Sequence, residues 1–126
     1  MINDCCKPQF YITGATVASN VVTLTLGGSP AVSNGLIYTI GFAPNVPVPA
    51  GVLGTDTVQI SINGTTYALW DSFGVPLTFS ELPTAVCRCS NASVFYPRKL
   101  RVGVGTVSGT SHFTVFNLPA RCGYPM

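Results

Sequence analysis

One short segment limits the fold of this chain more than any other. Val58–Ile62 and Thr65–Trp70 are runs of alternating β-forming residues, and an Asn63-Gly64 pair separates them. Asn-Gly between two such runs is the strongest short-range signal for a β-hairpin, because both central positions of a type I′ turn need a positive φ. The segment therefore predicts two antiparallel strands joined by a two-residue turn.

The rest of the chain favours strands as well, and helix signals are nearly absent. With 13 glycines, 10 prolines and no long apolar stripe at helical spacing, α-helices are disfavoured. The other predicted strands are Ala15–Ala18 and Val21–Leu26 joined by Ser19-Asn20, Leu36–Phe42 buried on both faces, a short strand around Leu77–Phe79 after a turn at Asp71–Gly74, and Lys99–Val104 paired with His112–Leu118 across a loop at Gly105–Ser111.

Strands spaced about every ten residues are typical of all-β domains. We predict an all-β fold, a compact β-sandwich or jelly-roll-like barrel of seven or eight short antiparallel strands. Residues 1–126 are expected to form a single domain, with residues 1–9 as an N-terminal arm and residues 120–126 as a C-terminal tail.

Charge is scarce and unevenly distributed. Only 8% of the residues are charged, against about 25% in a typical soluble domain, and none lies between Pro8 and Thr55. Residues 1–80 carry one lysine against three aspartates, a formal −2, whereas residues 81–126 carry five basic residues against one glutamate, a formal +4. Such a surface is either coated with uncharged polar groups or covered in an assembly. We favour the assembly, in which faces of unlike charge meet.

The segment at residues 43–55 is the first candidate contact surface. Its three prolines and two glycines exclude a central strand, and a proline-stiffened segment loses little entropy on docking. Val46, Val48, Val52 and Leu53 are its candidate interface residues. The alternative is a loop that folds back over its own core.

Arg98, Lys99 and Arg101 form the second candidate contact surface. Contact with phosphate is one interpretation. We favour a solvated face or a salt-bridging protein interface, because a nucleic-acid-binding domain shows a denser basic stripe and a pI above about 9, whereas this pI is about 8.3. Nucleic acid is therefore not an expected partner.

Five cysteines allow three interpretations. They are Cys5, Cys6, Cys87, Cys89 and Cys122. Their spacing lacks the C-x2-C pattern of a zinc site. No secretion signal is recognisable, which favours reduced structural thiols. The alternatives are one or two disulfides that tie both termini to the Cys87 segment, and a metal site shared with His112.

Residues for catalysis are few. His112 lies on a predicted strand without a motif around it, so we expect a satisfied surface or core residue. A glycosidase needs two facing carboxylates. The chain has enough carboxylates for this, at Asp56, Asp71 and Glu81, but nothing in their spacing pairs them. Gly103–Gly105 does not open a helix, and no P-loop or G-x-S-x-G motif occurs. We predict no enzyme, cofactor or metal site, and no run of residues suits a membrane helix.

A series of hairpin and turn motifs lies between residues 20 and 119. It comprises an Ile-Asn-Gly hairpin, a glycine-centred turn, a basic strand and a closing His-Phe-Thr-Val strand, at residues 62–69, 73–77, 82, 98–106, 112–115 and 118–119. These motifs resemble those of short proteins from the structural-gene modules of tailed bacteriophages, especially phages of gut bacteria.

The resemblance implies a head-associated virion protein, such as an auxiliary or decoration protein that stabilises the capsid. Its partners would be the major capsid protein or other virion proteins, and its place the virion, assembled in the cytoplasm of the bacterial host. We expect a homo-oligomer, with a trimer favoured. The alternative is a carbohydrate- or receptor-binding module of a phage fibre or tail, which Trp70 beside Asp71 would suit.

Overall fold

A computed structural model describes residues 9–28, 31–43, 46–82 and 100–116. Its seven strands are β1 (Phe10–Ala18), β2 (Val21–Leu26), β3 (Ile37–Phe42), β4 (Thr57–Ile62), β5 (Thr65–Trp70), β6 (Leu100–Val107) and β7 (Thr110–Val115). They form one sheet that closes on itself in the order β1-β2-β4-β5-β7-β6-β3. Each of these strands therefore has a neighbour on both sides, and the closed sheet leaves none of them as an edge strand.

The sheet mixes parallel and antiparallel pairs. β1–β2, β4–β5, β6–β7 and β3–β6 are antiparallel, whereas β1–β3, β2–β4 and β5–β7 are parallel. The predicted all-β class is confirmed, but the prediction of purely antiparallel strands is wrong. The reason is that hairpins lie side by side with their adjoining strands pointing the same way. A sandwich or jelly-roll arrangement is not confirmed.

Three of the antiparallel pairs are hairpins closed by two-residue turns. Both central residues of each turn have a positive φ, as type I′ geometry requires: Ser19 (52°) and Asn20 (66°), Asn63 (52°) and Gly64 (85°), Ser108 (51°) and Gly109 (82°). The first two turns were predicted. The third was predicted as a loop over residues 105–111, and the structure corrects this because residues 105–107 still belong to β6 and pair with residues 110–112 of β7.

Gly64→Ala should lower the free energy of unfolding by about 1–2 kcal/mol, because a side chain at left-handed φ meets the following carbonyl oxygen. Gly64 has φ +85°, and an added Cβ would meet no atom within 4 Å, so the backbone alone carries the cost. Gly14→Ala is the matched control, since its surroundings are equally open and its φ is not positive. Urea unfolding of both variants measures the difference, and equal losses would contradict the turn assignment.

The core fills the interior of the closed sheet, where inward residues alternate along every strand. The buried apolar side chains include Val22, Leu24, Leu26, Tyr38, Ile40, Phe42, Val58, Ile60, Ile62, Leu69, Leu100, Val102, Val104, Phe113 and Val115. Phe113 lies among aromatic rings, with centroids 5.3 Å from Tyr67 and 6.4 Å from Tyr38. The Tyr38 hydroxyl donates a hydrogen bond to the Ala31 carbonyl, so this buried phenol is satisfied.

A bulge in β1 allows residues on both sides of it to point into the core. Ile12 pairs with Leu26, but Gly14 pairs with Thr25, so Thr13 is an extra residue in β1. An extra residue shifts the inward–outward alternation by one position. Ile12 before the bulge and residues 15 and 17 after it therefore all pack against the core.

Two smaller predictions also change. The strand at residues 36–42 is not buried on both faces, because Ile37 points away from the core and is 47% exposed. The strand expected around residues 77–79 is instead a pair of isolated bridges, Thr57 to Thr78 and Trp70 to Pro76, followed by a 3₁₀ helix over Phe79–Glu81. The Asp71–Gly74 turn forms as predicted. Among the described residues, no helix has the length and apolar character needed to cross a membrane.

Candidate protein-binding surface

The described part of the segment at residues 43–55 mostly covers the core of its own chain. Val46 is 2% exposed and belongs to the core, and Val48 and Val52 pack against it. Of the four candidate interface residues, only Leu53, at 57%, presents its side chain to solvent. The alternative in which this loop folds back over its own core therefore describes the three valines, and Leu53 alone is left available to a partner.

Asp56 fixes the turn that presents Leu53. Its Oδ2 accepts a hydrogen bond from the Leu53 N–H at 2.9 Å, and its own N–H donates to the Leu53 carbonyl at 3.0 Å. The carbonyl of Asp56 accepts from Phe79 N–H at 2.8 Å, which ties the turn to the 3₁₀ helix. The Asp56 side chain is 2% exposed, so this carboxylate is a buried structural acceptor.

The other two described carboxylates also bind the backbone of their own turns. Asp71 Oδ1 accepts hydrogen bonds from Phe73 N–H at 2.8 Å and Val75 N–H at 3.0 Å. Glu81 Oε1 accepts from Thr78 N–H at 2.9 Å. Within residues 9–28, 31–43, 46–82 and 100–116, no three His, Cys, Asp or Glu side chains come together as a metal site would require.

The turn at residues 71–75, called the Phe73 turn below, exposes an aromatic ring to solvent. Phe73 is 89% exposed. Besides the two bonds to the Asp71 carboxylate, Asp71 N–H donates to the Val75 carbonyl at 2.8 Å and Gly74 N–H donates to the Asp71 carbonyl at 3.1 Å. Four hydrogen bonds thus hold a five-residue turn, so the ring projects from a defined backbone.

An apolar groove lies on the outer face of the sheet. Its lining residues are Gly35, Leu36, Ile37, Gly103, Val104, Thr114 and Phe116, and its volume is about 250 Å³. It is called the β3–β6 groove below. Backbone bonds join its walls: Gly35 N–H donates to the Val104 carbonyl at 3.0 Å, and Val104 N–H donates to the Leu36 carbonyl at 2.9 Å.

Gly103 forms the floor of the β3–β6 groove. Val102 and Val104 point into the core, so position 103 faces outward. A Cβ at Gly103 would lie 2.8 Å from the Phe116 ring, a separation that real side chains do not adopt. The ring therefore lies directly on the glycine backbone, and Phe116 N–H is held by the Arg101 carbonyl at 3.0 Å.

Arg101 is the described member of the predicted basic cluster. Its side chain is exposed, and its guanidinium carbon lies 5.6 Å from the centroid of the Phe116 ring, a cation–π contact. A positive charge is thus placed at the rim of the β3–β6 groove. Several predicted features lie outside the described residues, so the predictions for them stay predictions: Arg98, Lys99, all five cysteines, the tail at residues 120–126, and residues 1–8 of the arm predicted at residues 1–9. Gln9, the last residue of that arm, is described and exchanges hydrogen bonds with Thr39 of β3.

His112 packs against the outer face of the sheet. The imidazole is 5% exposed and stacks on Trp70, with centroids 4.0 Å apart and planes at 22°. It also lies over Gly105, where an added Cβ would come within 3.3 Å of the ring. Its Nδ1 lies 3.5 Å from the Thr110 carbonyl oxygen. This packing agrees with the expectation that His112 is a satisfied structural residue.

His112→Ala should lower the free energy of unfolding by about 1–2 kcal/mol and shift Trp70 emission to longer wavelength, because stacking is lost and the indole face gains water. His112→Phe is the control that keeps an aromatic ring, and we expect it to retain the emission maximum. Trp70 is the single tryptophan, so fluorescence reports on this contact alone. An unchanged emission maximum in the alanine variant would contradict the stacking.

Sequence reasoning missed the β3–β6 groove. A usable signal was present: Gly103 and Gly105 occupy alternate positions of a strand whose other residues are bulky. Glycine at outward strand positions often marks the close approach of another group. Phe116 and His112 are the rings that approach here, and both follow in the next strand of the same hairpin or directly after it.

The fold and this surface define a closed, mixed-strand β protein with an apolar outer groove and a projecting aromatic turn. No protein-family model, no curated protein and no solved structure matches this chain.

Proposed function

We propose that this protein is a structural subunit that works by packing against other protein chains, as an auxiliary or decoration protein on the head of a tailed bacteriophage. The observation that carries the proposal is the exposure of apolar side chains on rigid elements. Phe73 projects from a hydrogen-bonded turn, and the β3–β6 groove is open on the outer face. Aromatic anchors and apolar pockets are the features that dominate protein interfaces.

The closed sheet limits the kind of contact that a partner chain can make with this protein. Each described strand has a neighbour on both sides over at least part of its length, so the sheet offers a partner no strand with one side wholly open. We expect contact to use side chains on the outer surface. Ile37, about half exposed, places an apolar side chain on the outer face of β3 beside the groove, and the chain as a whole has only 8% charged residues.

The arrangement of polar groups gives less support to other functions. The three described carboxylates each accept hydrogen bonds from their own backbone. Trp70 would be the natural platform for a sugar ring, but its indole stacks on His112. The carbohydrate-binding alternative therefore gains nothing from the Trp70–Asp71 pair.

The position on a phage head follows from the motif resemblance of residues 20–119. The major capsid protein would be the principal partner, and a trimer is the expected oligomer. The scarcity of charge and the exposed apolar sites of this chain suit a subunit that covers a repeating protein lattice.

Fractionation of particles tests this proposal. An antibody raised against the purified chain is used to probe density-gradient fractions of a phage lysate from the source culture. We expect the chain to band with DNA-filled heads and to stay with them after a wash in high salt, because apolar contacts are not screened. Detection only among free proteins at the top of the gradient would contradict the proposal.

A further inference from the structure

We propose that the Phe73 turn of one copy of this chain inserts into the β3–β6 groove of a second copy. The inference rests on the proposed function, because it names the contact through which the subunit would assemble with itself. The two surfaces are unlike: one is a loop after β5, and the other is the outer face of β3 and β6 with Phe116. Contacts between unlike surfaces close rings or propagate as chains.

The groove has the size and polarity for a phenyl ring. An apolar cavity of about 150 Å³ holds benzene, and this groove offers about 250 Å³ with an opening to solvent. Leu36, Ile37 and Phe116 supply apolar contact, and the backbone of Gly35 and Gly103 completes the lining. A phenylalanine ring with its first backbone atoms fills such a space.

The Phe73 turn is suited to serve as the inserted group. Its ring is 89% exposed, so docking would remove nearly a whole aromatic side chain from water. The four hydrogen bonds of residues 71–75 already hold the backbone. Little conformational entropy is then lost on binding, which is the advantage of a preorganised contact.

Charge also favours this pairing. Of the described acidic residues, Asp56 is buried, whereas Asp71 and Glu81 reach solvent on the stretch of chain that carries the Phe73 turn. Arg101, the one Lys or Arg within the described ranges, lies at the rim of the groove against Phe116. Insertion would bring the Asp71 turn of one copy towards Arg101 of the next, and unlike charges across an interface orient the encounter.

A mixing experiment with two disabled variants tests the contact. Phe73→Asp removes the inserted ring and keeps the groove, and Ile37→Asp spoils the groove and keeps the ring. Val107→Asp is the matched control for Ile37, because both are β-branched, point outward and are about half exposed (49% and 47%). Val107→Asp is also the control for Phe73→Asp, since it places an aspartate at an exposed apolar position (49%) outside the Phe73 turn.

Size-exclusion chromatography with light scattering gives the masses. We expect the wild type and Val107→Asp to be oligomers, and Phe73→Asp and Ile37→Asp each to associate at least 10-fold more weakly. An equimolar mixture of the two disabled variants should form a dimer and stop there, since only one intact ring–groove pair remains per two chains. Ile37→Ser serves in place of Ile37→Asp if the aspartate lowers the unfolding free energy.

Three results would overturn the inference. One is a wild type that is monomeric at every concentration, another is oligomers that persist in both disabled variants, and the third is a mixture that stays monomeric. If oligomers persist in both disabled variants but the chain bands with phage heads, the proposed function stands and the contact between copies lies elsewhere. Failure to band with heads, together with a restored dimer in the mixture, would overturn the proposed function alone.

Discussion

Phe113→Ala should lower the free energy of unfolding by about 3–5 kcal/mol, the usual cost of truncating a phenylalanine in a core. Phe113 is fully buried, and its ring lies between Tyr67 and Tyr38 across the interior of the sheet. Two further strands, β6 and β5, flank it on either side in the sheet. Urea unfolding followed by Trp70 fluorescence measures the loss.

Phe73→Ala is the matched control for that experiment, because it makes the same substitution at an exposed ring. We expect its unfolding free energy to stay within about 0.5 kcal/mol of the wild type when both are monomeric. A loss of more than about 2 kcal/mol at Phe73, or of less than about 1 kcal/mol at Phe113, would contradict the assignment of one ring to the core and the other to the surface.

Asp56→Ala should cost about 1.5–3 kcal/mol, the range for a hydrogen bond to a charged group. The substitution leaves the Leu53 N–H without its acceptor at a part-buried site and loosens the turn that joins residues 53–56 to the 3₁₀ helix. Thermal or urea unfolding measures this effect. Protection of the Leu53 amide from hydrogen exchange should fall as well, because that N–H loses its partner.

Asp56→Asn removes the negative charge of the side chain and keeps an oxygen that can accept the hydrogen bond. The amide oxygen of asparagine can still accept from Leu53 N–H, so we expect most of the stability to remain. Leu53→Ala is a second control, since it keeps the backbone bond and removes an exposed side chain. An alanine variant at position 56 that is as stable as the wild type would show that the Asp56 carboxylate does not hold this turn.

The local part of the fold could be predicted from the sequence. The Ser19-Asn20 and Asn63-Gly64 turns lie between alternating runs, and a hairpin depends only on residues close together in the chain. The parallel pairs β1–β3, β2–β4 and β5–β7 could not be predicted in this way. They join hairpins to one another or, for β1–β3, a hairpin to the separate strand β3, and no short sequence motif specifies which strand lies beside which.

The candidate site was harder to predict for a related reason. The exposure of Leu53 and Arg101 agrees with their proposed place at a surface, but Val46 looks the same in sequence and lies in the core. The sequence does not show whether an apolar side chain in a loop points into the core or out to solvent. The β3–β6 groove depends on Ile37 meeting Gly103 across two paired strands, and that register exists only in the folded sheet.

The strand order has a consequence for the timing of assembly during synthesis. One wall of the β3–β6 groove comes from residues 35–37 and the other from residues 103–116, so the groove is created only when the final hairpin joins the sheet. A nascent chain on the ribosome therefore has the Phe73 turn before it has the groove. If copies associate through this pair of surfaces as proposed, incomplete chains would be unable to receive a neighbour, and closure of the sheet would have to precede the addition of a subunit.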